Sequence, residues 1–101
     1  MNSKFAIFAR LEAKPGKEEA VAEFLKSALP LAQAETGTNT WFALKLGSHT
    51  FGIFDTFNDE TGRQAHINGD IAKALFAKAD ELFAQPPSIE MVDILASKEP
   101  K

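Results

Sequence analysis

Apolar and polar positions along the chain fall into segments of two periods. FAIFARL, between Lys4 and Glu12, is apolar on one parity (Phe5, Ile7, Ala9, Leu11) and partly apolar on the other (Ala6, Phe8), which predicts a strand ended by Pro15-Gly16. From Lys17 the spacing changes. Val21, Phe24, Leu25, Ala28 and Ala32 recur at steps of three and four, with Glu18, Glu19, Glu23 and Lys26 on the opposite side, the pattern of an amphipathic helix. Pro30 should kink or shorten that helix, and Thr36-Gly37 is its latest stop. TWFALKL (40–46) and TFGIFDTF (50–57) return to strand character, and Gly47, Ser48 and His49 between them suit an antiparallel hairpin. Asn58-Asp59 offers an N-cap to a short helix ending near Ile67, and Asn68-Gly69-Asp70 stops it and caps the next. Ile71, Leu75, Ala79 and Leu82, flanked by Ala72, Phe76 and Phe83, mark that longer helix, which Pro86-Pro87 ends. SIEMVDILA (88–96) reads as the last strand.

The order is βαββαβ, which predicts an α+β, ferredoxin-like fold with a four-stranded antiparallel sheet and helices on one face. Residues 1–101 are expected to form one domain, without repeat or linker. The strands are apolar on both faces: Trp41 and Ala43 oppose Phe42 and Leu44, Phe51 and Ile53 oppose Phe54, and Val92 and Ile94 oppose Met91 and Leu95. Two helices cover only one face. A bare apolar face favours aggregation, so a second copy is expected to cover it, sheet against sheet, giving a two-fold homodimer and a dimeric α+β barrel.

Composition narrows the function. Nine Phe, one Trp and no Tyr direct the aromatic set toward a core, a pocket or a subunit contact. A formal charge of −3 argues against nucleic acid as partner, because phosphate binding needs clustered Lys and Arg. The F-G-x-F core of TFGIFDTF resembles the third strand of an RNA-recognition fold, but His49-Thr50 replaces the basic-Gly pair and Asp55 would put a negative charge on the binding strand. The absence of Cys removes disulfides, thiolate nucleophiles and Cys-based metal sites. His49 and His66 with Asp55 would be a meagre metal set, lacking any helical spacing that puts two ligands on one face, and no metal is expected. The N-terminal apolar run is short for a secretion signal and no stretch is long enough to span a bilayer, so a cytoplasmic setting without membrane contact is expected.

Three segments carry a resemblance over nearly the whole chain: LEAKPGKEEAVAEFL, a strand followed by Pro-Gly-Lys and an acidic helix start; AETGTNTWFALKL, an Ala-Glu-x-Gly turn into the second strand; and FDTFNDETGRQAHINGDIAKAL, an acidic residue on the third strand followed by a helix ending in Ala-His. In order and spacing these resemble the antibiotic biosynthesis monooxygenase family, whose members are dimeric α+β barrels that include quinol and polyketide oxygenases. The resemblance implies a cofactor-independent monooxygenase acting on a small aromatic, quinol or polyphenol-like compound with molecular oxygen. The chain departs from the haem-degrading branch of similar fold, placing Ala9, His66 and Phe76 where that branch has its Asn, Trp and haem-ligating His. It also has no Tyr for the pocket described in the polyketide oxygenases.

Oxygenation without a cofactor needs a base to form an electron-rich anion and a dry pocket to hold it, because triplet oxygen reacts poorly with a neutral phenol. His66 is the candidate proton acceptor, a histidine near its ordinary pKa being matched to that transfer at neutral pH. Arg63, at i−3 on the same helix, and Asp55, on an apolar strand parity, are the candidate orienting groups. Trp41, Phe42, Phe51 and Phe54 are expected to wall the pocket, with Arg10 as a further cation for the anion. A second reading keeps the fold without turnover: a dimeric barrel that binds a small hydrophobic ligand.

Overall fold

The computed structural model describes residues 3–99. The elements are β1 (Phe5–Glu12), α1 (Glu18–Ser27), α2 (Leu29–Ala34), β2 (Thr38–Lys45), β3 (Thr50–Phe57), α3 (Glu60–Ile67), α4 (Asp70–Leu82) and β4 (Ser88–Asp93). The expected first helix is two. Ala28 closes α1 and Pro30 sits in the first turn of α2, where its missing N–H has no intrahelical partner to lose. The last strand is shorter than the expected 88–96. It ends at Asp93, after which the Ile94 amide still donates to Lys4 O but Leu95 stands 99% exposed.

The sheet is antiparallel in the order β2-β3-β1-β4, the ferredoxin-like arrangement that the element order predicts. Period-two alternation sends Ile7, Ala9 and Leu11 of β1 and Phe51, Ile53, Asp55 and Phe57 of β3 to the helix-covered face, where all seven are buried. Against them pack Val21 and Leu25 of α1 and Leu75 and Leu82 of α4, with Phe83. Full burial of each such Leu or Phe contributes about 1.5–3 kcal/mol. A second cluster joins Ala28, Ala32 and Ile71 to Trp41. The other face carries Phe8, Phe42, Leu44 and Phe54; among the described residues no helix covers it, the segment after β4 borders it near Phe42 and Phe54, and Phe42 is 52% exposed. Among the described residues no helix is long and apolar enough to cross a membrane.

Candidate active site

Helix α3 positions two buried charged groups one turn apart. Asp59 caps it, its side chain accepting from the Gly62 amide at 2.8 Å, so the helix starts where the sequence places its cap. Gly62, Arg63 and His66 then form its buried face. The guanidinium of Arg63 lies toward β1 and β4: it donates to Ala6 O (3.4 Å) and Val92 O (3.1 Å) and forks onto Glu60 (2.5 and 2.9 Å). It also stands 3.7 Å from Asp93 and 5.0 Å above the Phe5 ring. These contacts engage four of the five guanidinium donors and tie helix to sheet.

His66, at the end of the same helix, lies over β3. Its Nδ1 is 2.6 Å from Glu35 Oε1, and its Nε2 is 2.7 Å from Asp55 Oδ2. The Nε2 contact is a short buried ion pair directed at Oδ2, and the other carboxylate oxygen, Oδ1, has no hydrogen-bond partner among the described residues. Burial pulls the imidazole down, but the Asp55 and then the Glu35 carboxylate lift it to about 8. The ring is therefore a cation at neutral pH. Asp55 is 0% exposed on a central strand, between Trp41 and Ile7 in register. Burial raises its pKa, and the neighbouring imidazolium only partly offsets that. The arrangement is a carboxylate, an imidazolium and a second carboxylate in line, with the two acids meeting opposite nitrogens of one ring rather than converging on a common point.

Glu35 reaches the ring because the turn that carries it docks closely on α3. A Cβ on Gly37 would sit 2.9 Å from Gly62 Cα, and one on Gly62 would sit 2.7 Å from Gly37 O, so both positions need glycine for this approach. Thr38 Oγ1 also donates to Glu35 Oε1 at 2.6 Å. Among the candidate residues read from the sequence, Glu35 is missing. Its signal was the Ala-Glu-x-Gly turn, where the acid resembles any polar loop residue until α3 is laid against it.

On the inner side, Asp55 and His66 are the polar members of a cavity of about 30 Å³ otherwise lined by Ile7, Ala9, Ile53, Ile67, Ile71, Ala72, Leu75, Phe76 and Ile89. That is room for one or two waters. Phe76, 52% exposed, also borders an outer hollow of about 370 Å³ beside Pro86-Pro87, so it is shared by the two spaces.

The structure thus brings Asp55 and His66 together and directs Arg63 elsewhere. The expected aromatic wall is absent from this cavity: Phe51 is in the main core, Trp41 packs on Ala28, Ala32 and Ile71, and Phe42 and Phe54 border a hollow on the opposite sheet face. Arg10 is on that opposite face too, 3.5 Å from Glu12. Strand alternation is the reason, because Phe42, Phe54 and Arg10 have the parity opposite to Asp55. His49 is at the hairpin tip on Glu18, 2.8 Å away, remote from Asp55.

No protein-family model and no curated protein matches this chain. Solved structures do. A "putative antibiotic biosynthesis monooxygenase" from Nitrosomonas europaea superposes with a TM-score of 0.80 at 14% identity, over 94% of each chain. One of the same description from Caulobacter crescentus gives 0.72 at 23%, over 93% of this chain and 92% of the other. The fold is therefore the α+β fold of antibiotic biosynthesis monooxygenase-like proteins, as the sequence resemblance implies. A protein of unknown function from Nitrosomonas europaea is 63% identical with a TM-score of 0.95, covering 98% of this chain and 96% of that one, and this chain belongs to its family.

Proposed function

We propose that the protein is a homodimeric, cofactor-independent monooxygenase of small quinol- or polyphenol-like compounds, with Asp55 as proton acceptor and His66 as a fixed cation beside it. The observation that carries this reading is the buried Asp55 carboxylate, paired at 2.7 Å with an imidazolium through Oδ2 and with Oδ1 unpartnered among the described residues, at the wall of an otherwise apolar cavity. The acceptor role expected of His66 passes to Asp55, since the ring is mainly protonated at neutral pH and the cation has no lone pair to offer. The raised pKa of Asp55 makes it a stronger base than an exposed carboxylate, and Asp55 and His66 are the two polar groups lining the cavity that a hydroxyl would meet. The proton moves to Asp55, and the imidazolium offsets the negative charge left on the substrate. The electron-rich anion then reacts with oxygen. One oxygen atom enters the ring and the other leaves as water, and the quinol supplies all four electrons: two on becoming a quinone and two on being hydroxylated.

A ring needs more than about 30 Å³, and ligand pockets run to roughly 300–1,000 Å³. Rotation of Phe76 would merge the inner cavity with the outer hollow of about 370 Å³ into a cleft of that size. A second copy is proposed to cover the open face that carries Phe8, Phe42 and Phe54. Sedimentation should give a dimer that Phe42→Asp dissociates, and a monomer at all concentrations would contradict it.

One observation favours the non-catalytic ligand binder instead: the Glu35–His66–Asp55 chain joins the α2–β2 turn, α3 and β3, which is also a structural service. Oxygen uptake by metal-stripped protein over a panel of quinols and polyphenols, without flavin or nicotinamide, separates the two. Uptake above the blank, with one atom of ¹⁸O₂ in the product, is expected. Uptake equal to the blank across the panel, with ligand binding retained, would overturn the oxygenase reading.

A further inference from the structure

We propose that Glu35 is a positioning residue that links the buried Asp55–His66 pair to water, the outer member of a proton path running from the cavity through the imidazole to the surface. The inference rests on the acid–base reading of Asp55 and His66. Its geometry is a gradient of exposure along one line: the Asp55 side chain is 1% exposed, His66 7% and Glu35 22%. Contacts of 2.7 and 2.6 Å connect the three, on opposite nitrogens of the ring. Glu35 also borders two open hollows at the turn, one with Gln33 and Thr38 and one with Thr36, Gly37 and Gly62.

Imidazole is suited to the middle position because it accepts at one nitrogen while donating at the other. The relay runs through the neutral ring, the form the imidazolium reaches by releasing one proton: with the remaining proton on Nδ1, a protonated Asp55 delivers its proton to Nε2 as Nδ1 releases its own to Glu35 and then to water; the inward transfer is the reverse. Only N–H and O–H bonds change, and the ring loses one proton for each it gains. Apolar side chains line the rest of the cavity, so no other polar route leaves Asp55 among the described residues. The charged groups facing the ring are Asp55 from β3 and Glu35 from the turn, while Arg63 on its own helix is engaged by Glu60, Asp93 and two carbonyls. The Phe57 ring, 5.4 Å away, carries no charge.

The test is nuclear magnetic resonance on protein labelled with ¹⁵N-histidine and free of substrate, so that it stands apart from turnover. His49 serves as the internal reference, being an exposed histidine on Glu18. In wild type, His66 should titrate near 8 and its Nδ1 proton should exchange with water faster than its Nε2 proton. Glu35→Gln keeps the acceptor but cannot carry a proton. It should lower the His66 midpoint by about one pH unit or more and slow ring-proton exchange several-fold. Thr38→Val keeps the carboxylate and should exchange as wild type does. Equal exchange in Glu35→Gln and wild type would overturn the path, and so would faster exchange at Nε2 than at Nδ1 in wild type alone, even were the variant not to fold. Loss of oxygenase activity with this exchange pattern intact would leave Glu35 in place and remove only the reaction.

Discussion

Arg63 and His66 stand one turn apart on the buried face of a single eight-residue helix, and they serve opposite ends. The arginine lies over β1 and β4, where two main-chain carbonyls and two carboxylates engage its donors. The histidine lies over β3, where it is held between one acid buried beside an apolar cavity and another that touches water. Both are buried cations. What distinguishes them is what a removal leaves behind: around Arg63 the orphaned charges, Glu60 and Asp93, are exposed and only the Ala6 carbonyl is buried, whereas around His66 one orphaned group is a carboxylate sealed in the core. A saturated charge fixes the architecture, and a charge beside an under-bonded acid can do chemistry.

The sharpest break of this comparison is His66→Ala. It leaves Asp55 buried without a cation and should cost about 3–5 kcal/mol in urea unfolding at neutral pH. Asp55→Asn in the same chain should return part of it. A cost no larger than that of a surface substitution would mean that the ion chain does not hold the site.

Arg63→Met comes next, at about 1–3 kcal/mol, for hydrogen bonds lost to the exposed Glu60, which water satisfies, and to the Val92 and Ala6 carbonyls, of which Ala6 is buried. The His66 midpoint should not move. A shift comparable to that of Glu35→Gln would join the two ends electrostatically and undo the contrast. Gly37→Ala should cost about 1–3 kcal/mol through overpacking on Gly62 and loosen Glu35 from the ring, lowering the His66 midpoint while leaving the Arg63 contacts in place.

The smallest effect is on pH dependence. His66 is raised in the folded protein to about 8 from an ordinary 6.5, so its contribution to stability is fully present below about 6.5 and is lost as pH rises through about 8. Denaturation midpoints should therefore fall over that window in wild type and in Arg63→Met, and stay level in His66→Ala. A fall of equal size in all three would assign it to another group.

Much of this was legible in the sequence. Periodicity located the four strands, the Asp59 cap and the break at Asn68-Gly69, because each depends on neighbours in the chain. Asp55 among Phe51, Ile53 and Phe57 was visible as an acid on a core parity, and the same rule separates it from Phe54 and Phe42. Spacing put Arg63 and His66 on one helical face but not over one strand, since the strand beneath each end follows from how α3 crosses the sheet. Glu35 was hidden for a related reason: its meeting with His66 depends on two glycines, 37 and 62, whose contact spans distant parts of the chain. Pro30 was legible as a kink or shortening but not as a division into two helices, and the last strand, expected to run to residue 96, ends at Asp93.

The proposed division of roles gives Asp55 the chemistry and Arg63 the frame. It is tested most directly by comparing oxygen uptake of Asp55→Asn and Arg63→Met with wild type on one quinol, at a temperature where all three are folded by circular dichroism. Asp55→Asn should lose about 10²–10⁴-fold in rate, the range for a missing general base, while Arg63→Met stays within a few-fold of wild type. The reverse order, or equal losses in both, would contradict the account.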